Sequence, residues 1–354
     1  MITFFCMARR GTYINTGNRF TTQRREHFYD EWEDRSPEPD PRTRIVEDTS
    51  RSAFATNKSP DIPFTHSINP YRGCEHGCAY CYARPTHEYL GFNASIDFES
   101  IIVVKRNAAE LARKAMMKKS WKPTSISISG VTDPYQPLER RFRITRSILE
   151  VMLEFRNPLG IVTKNALVCR DLDLLKQLAE QKCVVVFLSV TTLDRDLARR
   201  MEPRTSTPEL RLKAIERLAT AGVPVGTMVA PIIPGLNEQE IPAILKAAAD
   251  AGARSAAHVI LRLPYAVKPI FLNWLDREEP GRAQKVRNAL REMKGESLNQ
   301  TKFGARMTGI GERAEAIKKL FVIMVERLGL NNGPSSLTTA NFQRPNRDGQ
   351  MKLF

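Results

Sequence analysis

Apolar residues along the chain follow two alternating rhythms. Short runs rich in β-branched residues fall at Ser67–Arg72, Ser125–Gly130, Gly160–Lys164, Val184–Val190, Val223–Ala230 and Ala257–Leu263. Between them lie segments with helical spacing: Asn107–Lys119, Thr145–Phe155, Asp171–Gln181, Pro208–Ala221 and Gln239–Ala251. In the first of these, Leu111, Ala115 and Met116 share one face. Thr207 is placed to cap Pro208 at the first helical position, and Asn237 precedes an acidic first turn containing Glu238 and Glu240. Gly222 and Gly252 follow two helices at the position of a left-handed cap. Strand–helix units in series predict a parallel sheet with right-handed crossovers. Six strands are too few to close an eight-stranded barrel. The predicted fold is therefore α/β, an open partial (β/α)6 barrel of TIM type, with its chemistry at the carboxyl ends of the strands.

The pattern also divides the chain. Residues 1–60 are polar, carry Pro37, Pro39 and Pro41, and show no apolar period, which predicts an extended N-terminal arm. Residues 61–265 form the barrel core. Residues 266–330 predict a helical extension, with helices over Asn273–Met293 and Glu312–Leu328. In the second, Ile317, Leu320, Phe321, Met324 and Leu328 make a packing stripe. Residues 331–354 read as a flexible tail ending in Gln350-Met351-Lys352-Leu353-Phe354.

Charge narrows the class of partner. The chain has 354 residues with 54 Lys and Arg against 39 Asp and Glu, a formal net charge of +15. That balance favours a polyanionic partner, nucleic acid first. The densest basic groups are Arg9, Arg10, Arg24 and Arg25, and Arg140, Arg141, Arg143 and Arg146. No apolar run approaches a bilayer span. At the N-terminus apolar residues precede Arg9 and Arg10, the reverse of a secretory signal, and a cytoplasmic location is expected.

Cysteine usage supplies the chemistry. Of six cysteines, Cys6, Cys169 and Cys183 are scattered, while Cys74, Cys78 and Cys81 fall in one loop after the first strand. The spacing Cys-x3-Cys-x2-Cys lets three thiolates wrap one iron–sulfur cluster and leave one iron open to a ligand. Gly73 and Gly77 suit a loop folded tightly around such a core. The alternative is a structural zinc ion completed by His76 or His87, in a nucleic-acid-binding protein without catalysis.

The motif in this position resembles that of the radical S-adenosylmethionine superfamily over roughly residues 66–265. The resemblance implies a [4Fe–4S] cluster on Cys74, Cys78 and Cys81, with S-adenosylmethionine chelated at the open iron. It further implies a one-electron reductant of the flavodoxin or ferredoxin type and reductive cleavage to a 5′-deoxyadenosyl radical. That radical would abstract hydrogen from a substrate. Tyr80 matches the aromatic position beside adenine. Ser129, Thr132 and Asp133 stand where many members carry a Gly-Gly-Glu sequence, from which this chain departs. Lys164 is a candidate partner of the methionyl carboxylate. Ser189, Thr191 and Arg204 extend the cofactor set along the next strand end.

Within the superfamily, Cys78-Ala79-Tyr80-Cys81-Tyr82, Thr163-Lys164 and Glu202-Pro203-Arg204-Thr205 resemble the spore-photoproduct-lyase-related group. That likeness implies nucleic acid as the leading substrate class and Tyr82 as a hydrogen relay. The group's second strand carries a cysteine, whereas Ser125–Ser129 has none here, so dimer repair is not expected to transfer directly. Modification of RNA is the alternative within this chemistry. The terminal Gln350–Phe354 resembles the short peptide by which bacterial repair and replication proteins dock on the DNA sliding clamp. Leu353 and Phe354 are its anchors and the preceding polar stretch its tether. The alternative is a terminus folded back on the barrel.

Overall fold

The computed structural model describes residues 10–21, 42–333 and 337–345. Six parallel strands carry the architecture: β3 (His66–Ile68), β6 (Ile126–Ile128), β7 (Leu159–Thr163), β8 (Val184–Ser189), β9 (Val225–Ile232) and β10 (Ser255–Ile260). They pair in sequence order, β3 with β6 and so on to β9 with β10, and the sheet stays open. β2 (Phe54–Thr56) adds one antiparallel strand at the β3 edge. This is the expected partial barrel.

Alternation along the strands sorts the two faces. Ile126, Ile128, Leu159, Ile161, Val184, Val186 and Leu188 are buried in the main core. Opposite them, the register aligns Ser67, Ser127, Gly160 and Val185 in one row. Phe187, Gly226 and Ser255 align in another. Small residues predominate in both rows, and the Phe187 ring lies over Gly226.

The helices are α1 (Ile96–Ser100), α2 (Ala108–Met116), α3 (Glu139–Phe142), α4 (Ile144–Phe155), α5 (Leu172–Glu180), α6 (Arg195–Met201), α7 (Pro208–Thr220) and α8 (Ile241–Asp250). The Thr207 hydroxyl accepts from Leu210 N–H, as its position predicts. Asn237 does not cap. Its amide bridges Ile233 N–H to the Thr191 and Pro231 carbonyls, and a 3-10 turn over Glu238–Glu240 leads into α8.

Three segments depart from the sequence reading. The first expected strand is divided at Pro70, which has no N–H to offer a ladder. β3 stays in the main sheet, while β4 (Tyr71–Arg72) joins a small sheet with β5 (Ile101–Val104) and β1 (Arg44–Glu47). The expected N-terminal arm thus supplies β1 and β2, and residues 10–21 lie as a strap across the cysteine loop. The expected helix Asn273–Met293 is two, α9 (Val267–Glu278) and α10 (Pro280–Lys294). Pro280 disfavours helical geometry at Glu279, whose φ is −136°. α11 (Ala305–Thr308) and α12 (Glu312–Arg327) follow.

The tail is held where it is described. Phe342 lies 6.1 Å from the Phe155 ring, and Arg344 donates to the carbonyls of Met116, Lys118 and Trp121. Gln350–Phe354 lies outside the described residues. Among the described residues no helix is long and apolar enough to cross a membrane.

Candidate active site

The three cysteines sit on the loop that leaves the small sheet at the carboxyl end of β3. Gly73 and Gly77 take φ of 83° and 67°, conformations that side chains resist, and a Cβ on Gly77 would stand 2.8 Å from a Glu99 oxygen. Cys74 N–H donates to the Phe98 carbonyl at 2.8 Å, and Ala79 N–H to the Met201 carbonyl at 3.0 Å. Gln136 grips the loop from the β6 side, donating to Gly73 O and accepting from Glu75 N–H. Fully buried Arg84 donates twice to the Cys78 carbonyl and pairs with buried Glu99. Glu99 in turn accepts Gly11 N–H at 2.7 Å, and Arg10 donates to its carbonyl.

This scaffold shapes the thiols' chemistry. Cys74 and Cys78 are buried and Cys81 is partly so, and all three are free of disulfides. Burial pushes each thiol above its ordinary range, and at Cys74 the neighbouring Asp133, Cys81 and Cys78 add to the rise. A cationic centre bound here would offset this rise and favour the thiolates. Three soft donors carried by one glycine-bearing loop have the chemistry of an iron–sulfur ligand set. Of the two histidines offered to zinc, His76 is engaged on both ring nitrogens. His76 lies between Asp133, at 3.4 Å, and Asn165, at 3.2 Å, and His87 packs against Phe92 and Phe98.

The strand-end residues gather around the same loop, largely bonded to one another. Asp133 accepts from Thr163 Oγ1, Tyr135 N–H and Lys164 N–H at 2.7–2.8 Å. Burial raises its pKa, but His76 and these donors outweigh that and hold the carboxyl below its usual range. Ser129 Oγ donates to Asn69 Oδ1, and Thr132 Oγ1 to the Tyr71 carbonyl. The Lys164 ammonium lies 2.9 Å from Thr191 Oγ1, 3.0 Å from the Ala230 carbonyl and 3.2 Å from Glu202. It faces this chain's own carboxylate. The Tyr80 hydroxyl likewise donates to Glu202. Buried Arg211 closes the network on Glu202, Thr205 Oγ1 and the Ser189 carbonyl. Burial would raise the Glu202 pKa, but Arg211, Lys164 and the hydroxyls of Thr191 and Tyr80 drive it well below the carboxylate range. Arg204 N–H meets the His76 carbonyl at 3.4 Å.

Tyr82 stands apart, exposed at the mouth, its hydroxyl donating to the Gly130 carbonyl at 3.0 Å. Cys169 and Cys183 are elsewhere, their sulfurs against the Ala214 carbonyl and the Arg156 and Gln181 carbonyls. Sequence reasoning missed Gln136, the Arg84–Glu99 pair, Arg211 and Arg262. The last follows β10, with its guanidinium 6.0 Å from the Tyr82 ring centre. The role of each is recognisable only once the elements meet.

A half-barrel of parallel strands carries three cysteines on one loop at its mouth, two of them buried and one partly so. The description "Radical SAM superfamily" matches residues 68–248, and the chain belongs to that superfamily. Its cofactors are a [4Fe–4S] cluster and S-adenosylmethionine. An uncharacterized protein of Mycobacterium tuberculosis is 37% identical over 242 residues, 67% of this chain and 71% of that one. A radical SAM Nalpha-GlyT isomerase of Pseudomonas phage M6 is 27% identical over 171 residues, 47% of this chain and 33% of the isomerase. Among solved structures, a spore photoproduct lyase Y98F mutant superposes with a TM-score of 0.60 at 19% identity, covering 81% of this chain and 80% of the lyase. That likeness is one of fold.

Proposed function

We propose that Cys74, Cys78 and Cys81 ligate the [4Fe–4S] cluster and that the enzyme acts on nucleic acid. The observation that carries the ligand assignment is the placement of Cys74, Cys78 and Cys81, two buried and one partly so, on one tightly tied loop at the mouth of the open sheet. When bound, the cluster and S-adenosylmethionine together supply a carbon-centred radical that takes a hydrogen atom from a substrate.

The chain's own groups fix where that happens. Ser129, Thr132, Asp133, Lys164, Ser189, Thr191 and Arg204 rim the site at successive strand ends, with Tyr80 beneath them. Asp133 and Lys164 act as supports. Asp133 locks the β6 and β7 loops to His76, and Lys164 locks β7 to β8 and β9 through Thr191, Glu202 and Ala230. This internal network holds the rim rigid, so little ordering is needed when the cofactor arrives. Tyr82, exposed beside the last cysteine, is the hydrogen relay in this reading.

Net charge of +15 supports a nucleic-acid substrate. So does the fold shared with a spore photoproduct lyase that has been solved with dinucleoside spore photoproduct. A flavodoxin- or ferredoxin-type protein supplies the electron, and the free thiols suit a cytoplasmic setting. The C-terminal pentapeptide Gln350–Phe354 is the clamp-docking peptide in this reading, with the polar stretch before it as tether.

The test uses anaerobic enzyme with dithionite, S-adenosylmethionine and perdeuterated nucleic acids, damaged DNA and RNA in separate reactions. Deuterium is expected in 5′-deoxyadenosine with one of them. Cofactor cleavage without label from any nucleic acid refutes the substrate class.

A further inference from the structure

Six aromatic side chains are exposed among the described residues: Tyr13, Phe20, Tyr82, Tyr89, Tyr265 and Phe303. Phe20, Tyr89 and Tyr265 form one belt around Arg19, and Tyr13, Tyr82 and Phe303 each stand beside an arginine of their own. The Phe20 and Tyr89 rings stack at 4.9 Å. Arg19 lies 5.0 Å from the Phe20 ring and 3.8 Å from the Tyr265 ring. Arg262, three residues before Tyr265, lies 6.0 Å from Tyr82. Arg306 lies 4.6 Å from Phe303, and Arg277 lies 4.1 Å from Tyr13.

These rings are held in place without being covered. Arg19 is fixed by Glu88 at 2.6 Å, and Asn18 ties the strap to the carbonyls of Glu88 and Phe92. Tyr265 adopts φ of 49°, a left-handed conformation that costs a bulky residue energy, at the turn between β10 and α9. Yet Phe20, Tyr89 and Tyr265 remain 56%, 72% and 66% exposed. A contact serving only to dock the strap would bury its rings. Here folding presents them, and each of Tyr13, Phe20, Tyr82, Tyr265 and Phe303 has an arginine beside it.

We infer that this belt is a stacking platform for the unpaired bases of a single-stranded nucleic acid, leading to Tyr82 and the radical site. The inference rests on the nucleic-acid reading above and adds the strand state of the substrate. Exposed rings accept any base face, and guanidinium groups between them meet both bases and phosphates. A duplex keeps its base faces inside its own stack and offers the belt nothing but phosphate. The platform suits a substrate whose target base is presented flipped out or unpaired.

The experiment is fluorescence anisotropy on full-length, anaerobically purified enzyme bearing its cluster. Labelled oligothymidylate, oligouridylate and a mixed-sequence duplex are compared over a range of salt. Single strands are expected to bind at least about tenfold more tightly than duplex. Tyr89→Ala and Tyr265→Ala are each expected to weaken single-strand binding by about tenfold, with the salt slope unchanged. Tyr265→Trp should bind like the native protein. Visible absorbance and thermal midpoint check the fold of each variant. Photocrosslinking of a 4-thiothymidine oligomer to the native chain should map to Phe20, Tyr89 or Tyr265. Native affinity in both alanine variants, or crosslinks confined to other surfaces, overturns the belt. Binding of duplex but not single strands overturns it and leaves the nucleic-acid reading standing. Binding of neither overturns both.

Discussion

Replacing Glu202 with Gln removes the charge at the centre of the buried network while keeping its shape. Its carboxylate accepts from Arg211, Lys164, Thr191 and Tyr80, and Glu202 and Arg211 are both nearly inaccessible to water. In Glu202→Gln two cations lose their partner, one of them deep in the core. Breaking a buried pair from one side costs about 3–5 kcal/mol. Because Arg211 and Lys164 hold the folded carboxyl far below the usual carboxylate range, the contribution is fully present above about pH 4.5 and lost only in stronger acid. Urea unfolding at neutral pH, followed by far-UV circular dichroism, should show a lower midpoint at unchanged slope. Adding Lys164→Met should cost less than the sum of the two single changes, since the second removes a cation already unpaired. A loss below about 1 kcal/mol for Glu202→Gln, or strict additivity in the double variant, refutes the network as the support of the rim.

Two further outcomes follow from the same geometry. His87 is fully buried and its imidazole is pushed down to about 4 by burial, so only the unfolded chain takes up a proton between pH 6.5 and 4. Stability should fall as pH drops through that window, by up to about 3 kcal/mol, and His87→Leu should flatten the fall in unfolding midpoint; parallel curves for the two proteins contradict this. A Cβ at Gly226 would stand 2.5 Å from the Phe187 ring and 2.3 Å from Ser255 Oγ, inside the half-barrel. Gly226→Ala should cost about 1–3 kcal/mol by overpacking and impair cofactor cleavage with iron content retained; native values of both contradict tight packing of the inner face at this position.

Local pattern made the barrel legible. The β-branched runs and their helical spacers correspond to six strands and the crossovers between them, because parallel pairing repeats one local unit. The cysteine triplet was legible because the loop that carries it is contiguous. What escaped was set by distance along the chain. Ile101–Val104 is four residues long and gains strand identity only by pairing with Arg44–Glu47 and Tyr71–Arg72. Lys164 reads as a free cation until Glu202 is folded against it. Gln136 and Arg84 grip backbone carbonyls of the cysteine loop, a role with no sequence signature. Residues 10–21 lack an apolar period because they dock through side-chain and backbone hydrogen bonds, as Arg10 and Gly11 do on Glu99.

The central claim is that Cys74, Cys78 and Cys81 mount a cluster that cleaves S-adenosylmethionine. Its most direct measurement is iron and sulfide content with 5′-deoxyadenosine yield, in anaerobic native protein and in Cys78→Ala, after reduction with dithionite. The account predicts about four irons and four sulfides per native chain and 5′-deoxyadenosine formation, with both lost in Cys78→Ala. Native protein that carries zinc in place of iron, or Cys78→Ala that still forms 5′-deoxyadenosine, contradicts it.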